Sequence, residues 1–224
     1  MLKDLSSKWA KICAKPAAYR QFLYRFCRKL VQLWYRLLYG YRVVGLEYIP
    51  AEGGALVASN HVSLLDPPLV GISITGRQVH FVAKKELFKI PLLGPILAGC
   101  GCIWVDRHSK DGRSVNQAIQ LLRGGRLVGI FPEGTRSKSG QLQKARLGVA
   151  MMALKAGTPI VPACLFNTYE TGRRYGIPNG KTLGIRFGPP LEVEAMEKPT
   201  PEAMKRLCER VMEAIAQLQA QGPP

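Results

Sequence analysis

Residues 126–165 hold the stretch that decides the fold. They open with Arg126-Leu127-Val128-Gly129-Ile130-Phe131, an apolar run of strand length. A helical pattern follows over 142–156 and stops at Gly157, and a second apolar run, Pro159-Ile160-Val161-Pro162-Ala163-Cys164-Leu165, comes next. Strand, helix, strand in that order, with both strands apolar along their whole length, is the pattern of a sheet buried on two faces. Working outward, strands are predicted over 41–46, 54–59, 78–83, 102–106 and 183–187, and helices near 64–73 and 201–219. Short helical pieces across 84–98 are cut by Pro91 and Pro95, and Asp111 is a candidate cap for a helix running to Arg123. The expected class is α/β, with a mixed, largely parallel sheet flanked by helices. Residues 41–224 are read as this domain, preceded by a separate segment over 1–40.

A chain of 224 residues with 47% hydrophobic and 21% charged residues builds an ordinary globular core, which excludes disorder and coiled coil. The charge is less ordinary. Lys and Arg number 32 against 15 Asp and Glu, a net charge of +17, which speaks of anionic partners rather than of fold. Two basic blocks carry it, residues 1–42 at +9 and 67–191 at +13, while 43–66 and 192–224 are slightly acidic. Nucleic acid, an anionic membrane surface and an anionic substrate are the three candidates.

The first block reads as two amphipathic helices broken at Pro16. In the second, Phe22, Phe26, Leu30, Leu33, Trp34 and Leu37 form an apolar stripe, with Arg25, Arg28, Lys29, Gln32 and Arg36 elsewhere. No apolar run nears the roughly 18 residues of a spanning helix, and there is no secretory-signal pattern. Two uses of the stripe are open, lying in the plane of a bilayer interface or packing on the domain. The six cysteines show no Cys-x-x-Cys spacing and no nearby His at zinc-ligand spacing, so reduced thiols and no metal are expected.

Two loops carry candidate chemistry, each just past a strand. The first is Asn60-His61-Val62-Ser63-Leu64-Leu65-Asp66-Pro67. His61 and Asp66 can meet only if His61 sits ahead of the helix, because five positions along one helix point apart; Pro67 fits a short turn closing at Asp66. A carboxylate on one imidazole nitrogen fixes the tautomer and makes the other nitrogen a better base. Ser63 has no Gly-x-Ser-x-Gly elbow and is read as a turn or helix-start hydroxyl, not a nucleophile. The second loop is Phe131-Pro132-Glu133-Gly134-Thr135-Arg136-Ser137. A glycine beside an arginine fork and hydroxyls describes an anion pocket, without the Gly-Lys-Ser/Thr ending of a nucleotide-binding P-loop.

Taken together, Asn-His-x-Ser-x-x-Asp followed roughly seventy residues later by Phe-Pro-Glu-Gly-Thr-Arg-Ser resembles the glycerolipid acyltransferase family, with its likeness to the bacterial 1-acyl-sn-glycerol-3-phosphate acyltransferases. Phe81-Val82-Ala83-Lys84-Lys85-Glu86-Leu87-Phe88, Gly101–Arg107 and Thr158–Pro162 look like its other blocks, so the resemblance spans about 41–190. Trp104 departs from the Phe or Pro often found there. The resemblance implies acyl transfer from acyl-CoA or acyl-acyl carrier protein to the sn-2 hydroxyl of an anionic lysophospholipid acceptor, giving phosphatidic acid. It assigns His61 as general base oriented by Asp66, and Arg136 to the phosphate with Lys84 and Arg107 as supporting cations. The Gly134 backbone and Thr135 lie in the same loop, and Glu133 positions the glycerol end. No cofactor or metal is required on this reading. The expected location is the cytoplasmic face of the cell membrane, peripheral or monotopic. Another lyso-lipid acceptor and a non-catalytic membrane-binding module are the alternatives. Nucleic acid is set aside, since no DNA- or RNA-binding motif is present and the bases gather around an anion-pocket motif.

Overall fold

The computed structural model describes residues 17–106, 112–173 and 177–224. Seven strands form one sheet in the order β1-β7-β6-β2-β5-β3-β4. They are β1 (Tyr41–Val44), β2 (Ala55–Ser59), β3 (Val79–Lys84), β4 (Ile103–Val105), β5 (Leu127–Ile130), β6 (Ile160–Phe166) and β7 (Leu183–Phe187). All neighbours are parallel except β6 and β7, so β1 and β7 run against the other five. The helices are α1 (Ala17–Leu38), α2 (Asp66–Ser73), α3 (Leu93–Gly99), α4 (Arg113–Arg123), α5 (Gly148–Ala156), α6 (Thr168–Arg173) and α7 (Pro201–Ala220).

Alternation along the central strands sends side chains to both faces, and both are buried. Leu56 and Ala58 of β2 join Val128 and Ile160 in a core covered by α4, α5 and α7. Ala55 and Val57 join Leu127 and Val161 in a second core, covered by Leu69 and Val70 of α2 and by Tyr35 and Tyr39 from α1 and the residue just past it. The class is therefore the expected three-layer α/β arrangement, and β2 and β5 lie at its centre.

The structure departs from the sequence reading chiefly at two helix starts and in one additional helix. The helix expected over 142–156 begins only at Gly148, because residues 142–147 are drawn onto the loop after β5: Arg146 N–H donates to Pro132 O at 2.8 Å. Asp66 opens a helix where a closing turn was expected; Pro67 and Pro68 occupy its first turn, where a missing N–H removes no helical bond. Helix α6 has no counterpart in the sequence reading. The first N-terminal helix, the cap at Asp111, and Arg107 lie outside the described residues.

Part of the polar side of α1, Arg28 and Gln32, faces inward, while Arg25, Lys29 and Arg36 are exposed. Arg28 donates to Thr75 O (2.7 Å) and Gln32 to Ile72 O (3.0 Å), at the C-terminal end of α2. Tyr35, fully buried, donates to Leu65 O at 2.9 Å, next to Asp66. The stripe of Phe22, Phe26, Leu30, Leu33, Trp34 and Leu37 is exposed, Phe22 at 68% and Leu37 at 75%. Packing of that stripe on the domain, one of its two open uses, is not what the fold does. No described helix is long and apolar enough to cross a membrane.

Candidate active site

β2 and β5 are parallel neighbours with Ala58 opposite Ile130, so His61 and Glu133 leave the sheet at the same level on its C-terminal edge. In open α/β sheets this edge is where crevices form. Asn60 sets the exit of β2. Its amide donates to Leu165 O (3.1 Å) and its carbonyl accepts from Leu165 N–H (2.7 Å), so a side chain continues the β2–β6 ladder after the backbone has turned away.

His61 then stands ahead of α2, and Asp66 is the first residue of that helix. Asp66 Oδ2 lies 2.9 Å from His61 Nδ1 and accepts from the N–H groups of Val62 and Ser63, each at 2.7 Å. An oxygen already taking two backbone donors acts toward the imidazole as an acceptor, which puts the proton on Nδ1 and leaves the Nε2 lone pair available. Asp66 is wholly buried, whereas the His61 side chain keeps 14% of its surface exposed. Ser63 is buried, and its Oγ accepts from Leu65 N–H (3.2 Å), a turn hydroxyl as the sequence suggested.

The second loop clasps His61 from the β5 side. Glu133 Oε1 accepts from His61 N–H at 3.0 Å, and Ser137 N–H donates to His61 O at 2.7 Å. Burial pushes the Glu133 carboxyl above its ordinary range, against the lowering effect of donors from His61 and the Gln143 backbone. Phe131 stacks on the imidazole with ring centroids 4.0 Å apart and planes 19° from parallel. Phe81 of β3 stacks behind Phe131 at 6.3 Å. Gly129 makes room for this, since a Cβ there would lie 2.4 Å from the Phe81 ring. Sequence reading missed this aromatic backing, although an isolated glycine in a buried strand is itself a sign of close approach.

Gly134 adopts φ +70° and its N–H donates to Phe131 O (2.9 Å), closing a tight turn that brings Thr135 and the exposed Arg136 around the clasp. Lys84 leaves β3 on the same edge but two strands, roughly 10 Å, from β2. Its ammonium faces Glu86 at 3.6 Å. The structure thus gathers His61, Asp66, Glu133, Gly134, Thr135 and Arg136, and sets Lys84 at the margin. Among the described residues no three His, Cys, Asp or Glu side chains are grouped to hold a metal ion. Chemically, the arrangement offers a base at Nε2 with a buried carboxylate behind it, and a basic, glycine-opened turn beside it suited to an anion.

The likenesses to known proteins fall on these same elements. A family model described as Acyltransferase matches residues 40–165, from the start of β1 through most of β6. The 1-acyl-sn-glycerol-3-phosphate acyltransferase of Bacillus subtilis is 31% identical over 199 residues, 88% of this chain and 97% of that protein. The enzyme of the same name from Borreliella burgdorferi is 36% identical over 148 residues, 64% of this chain and 57% of that protein. In three dimensions the crystal structure of the 1-acyl-sn-glycerophosphate acyltransferase PlsC from Thermotoga maritima is similar with a TM-score of 0.70 and 26% identity, over 90% of this chain and 81% of that one. Both loops that meet at His61 lie inside the matched segment, and the chain belongs to the acyltransferase family.

Proposed function

We propose that the protein acylates the sn-2 hydroxyl of 1-acyl-sn-glycerol-3-phosphate with a fatty acyl group from a thioester donor, acyl-CoA or acyl-acyl carrier protein, and so makes phosphatidic acid. The observation that carries this reading is the His61–Asp66 pair at 2.9 Å beside the Glu133–Arg136 turn. The names of the relatives supply the acceptor. His61 Nε2 takes the proton of the acceptor hydroxyl as its oxygen attacks the thioester carbonyl. The tetrahedral adduct collapses, the C–S bond breaks, and the imidazolium returns the proton to the leaving thiolate. The donor is already activated by its leaving group, so no covalent enzyme intermediate, metal or cofactor enters this scheme. Asp66 holds the tautomer and offsets the transient positive charge. Arg136 receives the phosphate, Lys84 and Arg107 are the candidate supporting cations, and Glu133 shapes the glycerol end by tying the turn to His61. The outward apolar face of α1, with exposed Arg25, Lys29 and Arg36 beside it, suits the anionic cytoplasmic leaflet as a peripheral contact.

The test is acyl transfer by purified protein to a panel of lyso-lipids with one acyl-CoA, read by lipid mass spectrometry. Phosphatidic acid is the expected product, and His61→Ala should reduce the rate by about 10²–10⁴-fold. A His61→Ala protein that kept near-wild-type transfer would refute the base assignment. A wild-type protein that acylated other lyso-lipids and not this one would replace the acceptor.

A further inference from the structure

Residues 142–147 read as helix in the sequence, yet they run as an irregular strap across the Glu133–Arg136 turn. Two bonds hold the strap: Arg146 N–H donates to Pro132 O (2.8 Å), and the Cys208 thiol reaches Arg146 O (3.6 Å). Arg146 is therefore fixed on both sides of its α-carbon. Its side chain lies along Gly134, whose absent Cβ would sit 2.5 Å from Arg146 Cδ and 2.7 Å from Nε. The stem thus rests on the bare face of the one residue in the turn that has no side chain.

Among the described residues the Arg146 guanidinium makes no ion pair and no hydrogen bond, and the residue is exposed. Arg136, two residues past Gly134, is exposed and unpaired in the same sense. The one carboxylate on this turn, Glu133, spends Oε1 on the His61 N–H and is buried. A stem held by packing with its planar fork left open is how arginine is presented to phosphate, which it binds bidentately. Arg146 packed on Gly134 and the exposed Arg136 two residues along the same turn together match the charge of a phosphomonoester dianion.

We propose that Arg146 is a second phosphate-binding residue and that it closes, with Arg136, a two-arginine clamp over Gly134 on the phosphate of the acceptor. The inference rests on the acceptor reading above and adds to it the residue that sets selectivity for a phosphate over an uncharged headgroup. The positive φ and the open face of Gly134 then serve one purpose, which is to let the Arg146 stem cross the turn.

Steady-state kinetics of Arg146→Gln and Arg146→Lys test this, with 1-acyl-sn-glycerol-3-phosphate and with 1-monoacylglycerol, which lacks the phosphate. Inorganic phosphate serves as a competing anion. For Arg146→Gln the KM for the phosphorylated acceptor should rise about tenfold or more while kcat stays within about threefold. The inhibition constant of phosphate should rise in parallel, and transfer to 1-monoacylglycerol should not change. Arg146→Lys keeps a point charge without the fork and should recover only part of the loss. An unchanged KM in Arg146→Gln, or a fall in kcat alone, would overturn the clamp, while Arg136→Gln still reported on the acceptor. If the wild-type protein failed to distinguish the two acceptors, and Arg136→Gln altered neither, the acceptor reading itself would fall and the clamp with it.

Discussion

Replacing Asp66 by asparagine separates the two tasks that one oxygen performs. Oδ2 accepts from Val62 and Ser63 N–H and faces His61 Nδ1, and the side chain has no exposed surface. An asparagine carbonyl can take the same place with the same shape. The two backbone bonds then change from charge-assisted to neutral, a loss of about 1 kcal/mol each, or about 2 kcal/mol of stability. A domain stable by about 5–15 kcal/mol survives that. Catalysis loses more. When His61 holds the acceptor's proton, the carboxylate stabilises the imidazolium by about 4 kcal/mol at a charge separation near 4 Å and an effective dielectric near 20. Without that charge the barrier rises by about the same amount, about 10³-fold in rate. Urea unfolding measures the first effect. Single-turnover acyl transfer at saturating acceptor measures the second, free of product release. An Asp66→Asn protein that is folded and transfers within tenfold of the wild-type rate would refute the role given to this pair.

Gly129→Ala places a methyl 2.4 Å from the Phe81 ring, an overpacking cost of about 1–3 kcal/mol, and should displace the Phe81–Phe131 support of His61. The expected signature is a lowered melting temperature with kcat reduced more than KM. Glu133→Gln tests the raised carboxyl. Burial penalises its charged form, so the penalty is absent below the ordinary carboxylate pKa, grows as pH rises toward the elevated folded value, and stays constant above it. The Gln protein should therefore gain stability relative to wild type at neutral pH and lose that gain as pH falls to about 4, measured by urea midpoints across pH. Phe22→Asp and Phe26→Asp remove apolar surface that is already solvent-exposed, so neither should lower the melting temperature. Each should weaken partition onto anionic vesicles by about tenfold or more, since burying a Phe contributes about 1.5–3 kcal/mol; vesicle sedimentation decides.

Fold class was open to sequence reading because the central strands are apolar on both faces, as Leu127–Ile130 and Ile160–Phe166 show. The meeting of His61 and Asp66 was also legible, since a histidine standing ahead of the helix can reach an aspartate five positions on, although Asp66 begins the helix rather than closing a turn. What stayed hidden depends on partners distant in the chain. Asn60 bonds Leu165, 105 positions away, and nothing local marks an amide as a surrogate backbone. Glu133 reaches His61 N–H across 72 positions, so its part in holding the first loop shows only once β2 and β5 are paired. Residues 142–147 have helical spacing, but two tertiary bonds to Arg146 outweigh a propensity of a few tenths of a kcal/mol per residue. Helix α6 is six residues long and includes two threonines and a glycine, so periodicity had nothing to detect. Gly172 within it nevertheless packs on Ser63, where a Cβ would lie 2.4 Å from the hydroxyl oxygen.

Helix α1 bears on the site in a way that amphipathicity alone would misjudge. Its inward side holds Arg28, Gln32 and Tyr35, and all three donate to backbone carbonyls of α2 or of the residues bordering it. Arg28 and Gln32 satisfy carbonyls at the C-terminal end, where a helix leaves its last acceptors unpaired and a cation is favoured. Tyr35 holds Leu65 at the other end, one residue before Asp66. α1 therefore grips both ends of the helix that presents the buried aspartate. Removing residues 1–39 would take away this grip together with the apolar stripe, so a truncated chain could not tell lipid binding from support of the dyad. The outward face can be changed alone. With Arg28, Gln32 and Tyr35 committed inward, α1 leaves Phe22, Phe26, Leu30, Leu33, Trp34 and Leu37 to solvent, and an apolar face of that size is the mark of a surface that meets a second apolar phase. In the function proposed here that phase is the lipid holding the acceptor, and the element that touches it is bonded directly to the residues flanking the dyad.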